Sequence, residues 1–355
     1  MGAQPSLQRG NHNQARLCVS LGDPAGIGPE ILLKTWAMAA DGAIEVPSFF
    51  VLGDVDLLND RAQLLGMSAR ASAWADGALP ADSLPVLQVN NPLSSKPGKP
   101  EPKDAAGVVE AIERGVALIR EGRASGLVTL PINKKHLYDA GFEFPGHTEY
   151  LAALATGWHG NSADAPRSVM MLAGPDLRTV PVTVHIPLEN VKAALTADLI
   201  VETARIVNAD LQSRFAIAKP RLAFAGLNPH AGEDGALGTE EMTVLEPALA
   251  VLRSEGVECI GPLPADTMFH ARARQAYDVA LCMYHDQALI PAKALAFDES
   301  VNVTLGLPFI RTSPDHGTAY DIAGTGKADP SSFIAALKMA GDLAAAAAQA
   351  TVTAA

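Results

Sequence analysis

The chain has 355 residues, 48% of them hydrophobic and 19% charged, with a formal net charge of −12 at pH 7. That length and apolar share suit a large buried interior, divided more naturally into two lobes than one. The negative balance argues against binding to nucleic acid or to an anionic membrane, but a few local cations still suit an anionic small substrate.

Residues 1–15 are polar, lack the apolar core of a signal segment and read as a disordered tail. Beyond them, predicted strands fall at 17–21, 48–52, 86–89, 126–131, 169–173, 180–185, 221–226, 279–284 and 301–305. Predicted helices fall at 29–40, 55–65, 105–121, 148–155, 188–211, 240–255 and 331–348, with 346–355 a loose end. This alternation predicts α/β layers around a largely parallel sheet. Residues 90–103, rich in proline, serine and lysine, read as a long connection, and 157–167 as a polar insertion. No run approaches the ~18 apolar residues of a membrane span. Three cysteines (Cys18, Cys259, Cys282), two of them in apolar runs, fit a reducing compartment and a soluble cytoplasmic protein.

Taken in chain order, the first glycine-rich segment is Gly22-Asp-Pro-Ala-Gly-Ile-Gly-Pro-Glu30, between a strand and a helix. It is neither G-x-G-x-x-G nor a P-loop, and a plain strand-to-helix turn explains it as well as a ligand does. Thr129-Leu-Pro-Ile-Asn-Lys-Lys135 places two lysines after a strand, by default solvated. In Gly146-His-Thr-Glu149, Thr148 suits a helix cap, while the helix start, His147 and Thr148 together offer donors to an anion.

Three histidines each close an apolar, strand-like run: Thr179–His185, Leu222–His230 and Val279–His285. Any one alone reads as a locally satisfied histidine. Three at equivalent strand ends can hold a divalent metal with a position left open for substrate, because parallel strands share a carboxyl edge. Cys282 precedes His285 by three residues, which on a strand puts it on the opposite face and rules it out as a ligand. Asp286 beside His285 suits an orienting group, a further ligand or a proton acceptor.

The loop Asn228-Pro-His-Ala-Gly-Glu-Asp-Gly-Ala-Leu-Gly238 carries more chemistry than a connection needs. Lys293, Asn302 and Arg311 follow within twenty residues, and a lysine and an arginine flanking a metal site suit a carboxylate or phosphate. Pro308–Gly324, crowded with small polar residues, glycine and acids, reads as an extended loop facing a ligand such as a nucleotide.

Gly22–Glu30, Thr129–Lys134, Gly146–Glu149, Val182–Pro187, Asn228–Gly238, Gly261–Phe269, Tyr284–Gln287 and Arg311–Gly324 together resemble the 4-hydroxythreonine-4-phosphate dehydrogenases of vitamin B6 (pyridoxine) biosynthesis. The resemblance runs from about Leu17 to Leu343. It departs at Leu130, where alanine or glycine is common, and in the longer 157–167 stretch. It implies the isocitrate/isopropylmalate dehydrogenase fold: two α/β/α lobes, 16–140 plus 303–345 and 141–302, with a cleft between them. It also implies a homodimer whose active sites are shared across the interface.

Carried over residue by residue, the resemblance puts one zinc, magnesium or cobalt ion on His185, His230 and His285. Substrate contacts fall on His147, Thr148, Lys293, Asn302 and Arg311, with Asp286 or Lys293 as catalytic base. NAD or NADP contacts fall on Asn228, Gly232, Glu233, Gly235, Gly238, Asp315, Gly317 and Asp321. The implied reaction is oxidation of 4-hydroxy-L-threonine 4-phosphate, then loss of CO2 to give 3-amino-2-oxopropyl phosphate. Rival readings are a paralogue acting on threonate or erythronate 4-phosphate or on an aromatic cis-dihydrodiol, a zinc hydrolase, and a noncatalytic binding module.

Overall fold

The computed structural model describes residues 16–354 other than 76, 140, 141, 143, 145, 146 and 159–165. The N-terminal tail, Gly146, most of the 157–167 insertion and the expected lobe boundary at 140/141 therefore lie outside the described residues.

The elements in chain order are β1 (Leu17–Ser20), α1 (Gly28–Ala40), β2 (Phe49–Gly53), α2 (Val55–Leu64), β3 (Ala71–Ala73), β4 (Leu84–Gln88), α3 (Ala105–Arg120), β5 (Gly126–Thr129), α4 (Lys134–Asp139) and α5 (His147–Leu154). There follow β6 (Val169–Ala173), β7 (Arg178–Pro181), α6 (Leu188–Ala194), α7 (Ala197–Ser213), β8 (Arg221–Ala225), α8 (Glu246–Ser254) and β9 (Glu258–Leu263). The chain ends with α9 (Ala271–Arg274), β10 (Val279–Cys282), α10 (His285–Leu295), β11 (Val301–Leu305), β12 (Ile310–Pro314) and α11 (Ser331–Ala354).

All twelve strands join one sheet, in the order β3-β4-β2-β1-β5-β12-β11-β6-β7-β10-β8-β9. The first six are mutually parallel, and so are the last four. Between them, β11 pairs antiparallel with both β12 and β6, and β6 pairs antiparallel with β7. The two parallel halves therefore run in opposite senses across a central seam. The sheet is largely parallel, as expected from the alternation of strands and helices, and the reversal at the seam is what apolar runs alone do not reveal, because they mark strands but not their direction.

Strands β1, β2, β5 and β10 are buried at every position, as expected where helices cover both faces. The main core is continuous across both halves, from Leu17 and Phe50 to Leu281 and Leu305. Predicted helix 188–211 is two helices, broken at Leu195; Thr196 starts the second by accepting from Leu199 N–H at 3.1 Å. Helix α11 continues through the stretch expected to loosen, since its alanines favour helix and no glycine or proline stops it. Its segment Ser331–Ala350 is long and apolar enough to cross a membrane by length and composition, contrary to the sequence estimate. Phe333, Ala336, Leu337, Ala340 and Leu343 on it are buried against the sheet, which makes it a core helix.

Candidate active site

A cleft of about 260 Å³ crosses the face of the seam, lined by residues from both halves of the sheet. Register explains its membership. Thr304 pairs with Arg311 and Asn302 with Ser313, so these four side chains share one face of the β11–β12 ladder. Asn302, Arg311 and Ser313 line the cleft, together with Thr129 from the end of β5 and Ser168 and Met170 from β6. His147 and Thr148 enter from the first turn of α5, and His185 from beyond β7. Gly317 and His316 close it from the segment after β12.

Arg311 does not lie in a loop. It sits on β12, only 4% exposed, and its partners are hydroxyls alone. Nε and one Nη2 hydrogen go to Thr129 Oγ1 (3.2 and 2.7 Å), and one Nη1 hydrogen goes to Thr304 Oγ1 (2.9 Å). Burial pushes its guanidinium down to about 10, with no carboxylate to hold the charge. A buried cation without a counter-ion is costly, and an anion entering the cleft relieves that cost. The strand was missed because its arginine, threonine and serine mimic loop composition.

The histidines leave three adjacent parallel strands, β7, β10 and β8. The chain brings two of them together: the rings of His185 and His285 are 5.5 Å apart and inclined at 43°. The peptide N–H of Val182 donates to Cys282 O (2.8 Å), extending the β7–β10 pairing toward both residues. Gln287 ties β10 to β8, accepting from Met283 N–H and donating to Gly226 O, each at 2.7 Å. His285 is the first residue of α10, a helix absent from the sequence reading. Its Nδ1–H donates to Asp286 Oδ1 at 2.8 Å, which fixes the ring and leaves Nε2 as the nitrogen that would meet a metal. His230 is exposed and does not join them: among the described residues no ready-made group of three metal-ligating side chains exists.

His230 instead belongs to a left-handed turn. Residues 230–234 have φ between 42° and 82°, although only Gly232 among them is a glycine. L-residues pay roughly 1–2 kcal/mol each for that conformation. The turn is held by Asn228, whose N–H donates to Glu241 (2.7 Å) and whose Nδ2 donates to Glu240 and Glu241 (2.8 and 2.9 Å). Glu240 also binds Lys192, and these contacts hold its carboxyl down at about 2. A Cβ on Gly238 would come within 2.2 Å of Asn228 Nδ2, so this glycine is needed for packing. None of Asn228, Gly232, Glu233, Gly235 or Gly238 lines the cleft.

Lys293, on α10, is paired at 2.9 Å with Asp315, between the cleft-lining Pro314 and His316. Asp321 is exposed on the following loop. That loop is clasped to the first glycine-rich segment. Tyr320 OH donates to Asp23, and buried Glu30 accepts from Gly324 and Ala328 N–H, both at 3.0 Å. Gly22–Glu30 therefore works as a brace for the loop beside the cleft.

Fold and cleft together define an α/β protein whose central cleft presents a buried cation and hydrogen-bond donors. A family model, "Pyridoxal phosphate biosynthetic protein PdxA", matches residues 45–340. The chain belongs to the PdxA family. It is 51% identical over 347 residues to a 4-hydroxythreonine-4-phosphate dehydrogenase of Bradyrhizobium diazoefficiens, covering 95% of this chain and 99% of that protein. Among solved structures, that of the same-named enzyme from Klebsiella pneumoniae superposes with a TM-score of 0.82 at 36% identity, covering 93% of this chain and 100% of that one. A terephthalate 1,2-cis-dihydrodiol dehydrogenase from Burkholderia xenovorans is more distant: TM-score 0.63 and 26% identity, over 93% of this chain and 98% of that one.

Proposed function

We propose that this chain is a 4-hydroxythreonine-4-phosphate dehydrogenase. It oxidises 4-hydroxy-L-threonine 4-phosphate with NAD or NADP to 2-amino-3-oxo-4-(phosphooxy)butanoate, which decarboxylates to 3-amino-2-oxopropyl phosphate. One observation carries the reading beyond family membership: the buried, carboxylate-free Arg311 in a cleft that also presents His147 and Thr148. Such a site favours a phosphorylated substrate over a neutral one.

The residues divide the work as follows. Arg311, His147 and Thr148 hold the phosphate, and Asn302 orients the substrate backbone. His185 and His285, with His230 supplied across an interface between two copies of the chain, would hold one divalent ion (zinc, magnesium or cobalt), which when bound lowers the pKa of the substrate hydroxyl. Asp286, engaged with His285 Nδ1, orients that ring, which leaves Lys293 as the base. The hydroxyl proton passes to Lys293 as Lys293 gives its own to Asp315. Residues of the Asp315–Asp321 stretch, where Gly317 lines the cleft, and of the Asn228–Gly238 turn would hold the nicotinamide cofactor, which would accept the hydride.

A homodimer is supported by exposed apolar side chains on the segments that follow the histidines in the chain: Ile186, Leu188, Leu237, Met242, Ile290 and Phe297, from 39% to 70% exposed. The reversal of strand direction at the seam supports a division into two lobes, proposed as 16–140 plus 303–345 and 141–302, with the 302/303 boundary lying inside β11. Buried Cys18 and Cys282, both unbonded, suit a cytoplasmic location. The test is reduction of NAD or NADP with the phosphorylated hydroxythreonine, beside threonate 4-phosphate, erythronate 4-phosphate and a cis-dihydrodiol. A clear preference for either of the other substrate types would replace this reading.

A further inference from the structure

We propose that Thr129 is a second reader of the substrate's phosphate, donating its hydroxyl beside the Arg311 fork that it also holds in place. The proposal rests on the assignment of Arg311 to that phosphate.

A guanidinium has five N–H donors, and a hydroxyl has one donor and two acceptor positions. Three of the five Arg311 hydrogens are used, two on Thr129 Oγ1 and one on Thr304 Oγ1. One hydrogen on each terminal nitrogen is left to donate to an oxyanion. Thr129 Oγ1, accepting twice from Arg311, has filled both acceptor positions and can only donate. No described residue takes that hydrogen.

Thr129 ends β5, two residues beyond Leu127, the cross-strand partner of Arg311, and so stands on the same face of the sheet. It lines the same cleft. Three donors thus converge there: two from the fork and one from the hydroxyl locked to its side. Thr304 is buried on the next strand and completes the hold without lining the cleft. Hydroxyls rather than carboxylates at these positions leave the full positive charge to the ligand. Thr129 therefore sets specificity for a tetrahedral oxyanion, and Thr304 is a positioning residue.

The experiment compares wild type with Thr129→Val, Thr129→Ala, Thr129→Ser and Arg311→Met. It measures KM and kcat for the phosphorylated substrate, competitive inhibition by inorganic phosphate, and Tm. Loss of a hydrogen bond to a charged group predicts KM and the phosphate inhibition constant raised roughly 10- to 100-fold in the valine and alanine variants. The change falls mainly on KM, and serine restores both constants to within about threefold. If valine and alanine lower Tm but leave both constants within about threefold, Thr129 is structural and the proposal fails, while a weakened Arg311→Met keeps the assignment of Arg311. If Arg311→Met itself leaves phosphate inhibition unchanged, that assignment falls, and this proposal with it.

Discussion

The rings of His185 and His285 stand 5.5 Å apart, and the Nδ1–H of His285 is engaged by Asp286 at 2.8 Å. The two residues extend from neighbouring parallel strands whose pairing continues toward them, so the sheet itself sets their separation. A divalent ion between them needs one nitrogen from each. His185→Ala and His285→Ala are each expected to abolish binding of zinc or cobalt measured calorimetrically on the whole protein. Retained affinity in both variants would remove the pair from the metal site.

Asp286→Asn separates two roles for one carboxylate. As the group that orients His285, its loss weakens metal affinity by about 10- to 100-fold. Added metal then recovers most of kcat. Were Asp286 the proton acceptor, metal affinity would hold while kcat collapsed at saturating metal.

Arg311→Met tests the uncompensated cation. Removing a buried guanidinium that lacks a counter-ion should leave unliganded stability unchanged or raised by up to ~2 kcal/mol, while the Tm increase produced by inorganic phosphate disappears. The pH dependence has two signs. Anion binding through Arg311 is intact below about 10 and is lost as pH rises through it. Unliganded stability instead gains as pH rises above about 10, because there the unfolded chain, whose arginine keeps its ordinary higher value, holds the extra proton. Phosphate titrations monitored by Tm at several pH values read both.

Asp315→Asn leaves Lys293 without its acceptor at 2.9 Å. kcat is expected to fall by about 10²–10⁴-fold, the range for removing acid–base assistance, with KM little changed. A change confined to KM would instead make the pair a substrate anchor.

Gly232→Ala tests the left-handed turn that carries His230. An added Cβ meets Glu241 Oε2 at 2.6 Å, in a residue with φ +82°. The expected cost is about 1–3 kcal/mol, read as a lower Tm, together with weaker metal binding from displacement of His230. Full stability would show that the turn has an alternative conformation of equal energy.

Much of this was legible from the chain alone, and the omissions have physical causes. Apolar runs predicted the buried strands β1, β2, β5, β6 and β11 because strands covered on both faces read as continuous hydrophobic stretches. They could not show that His185 and His285 meet while His230 stands apart, because that depends on strand order and on a left-handed turn. Strand β12 was hidden because its inward face is polar, which is the property that makes it part of the site. The reading of Pro308–Gly324 as one loop was therefore half right: it begins as a strand and becomes a loop beyond Pro314. Thr129 has no signature in the sequence, since a threonine closing an apolar strand shows its role only once its partner Arg311 is known. Asp315, a residue of that loop, is paired with Lys293, a contact between two chain-distant residues that no local pattern shows.

The most direct test follows the appearance of reduced nicotinamide when the purified protein meets 4-hydroxy-L-threonine 4-phosphate, before and after chelation and with a divalent ion restored. Turnover is expected to stop on chelation, return with metal and never develop in His285→Ala. Sustained turnover in the chelated His285→Ala protein, or none in the wild type under any metal and either cofactor, would contradict that expectation.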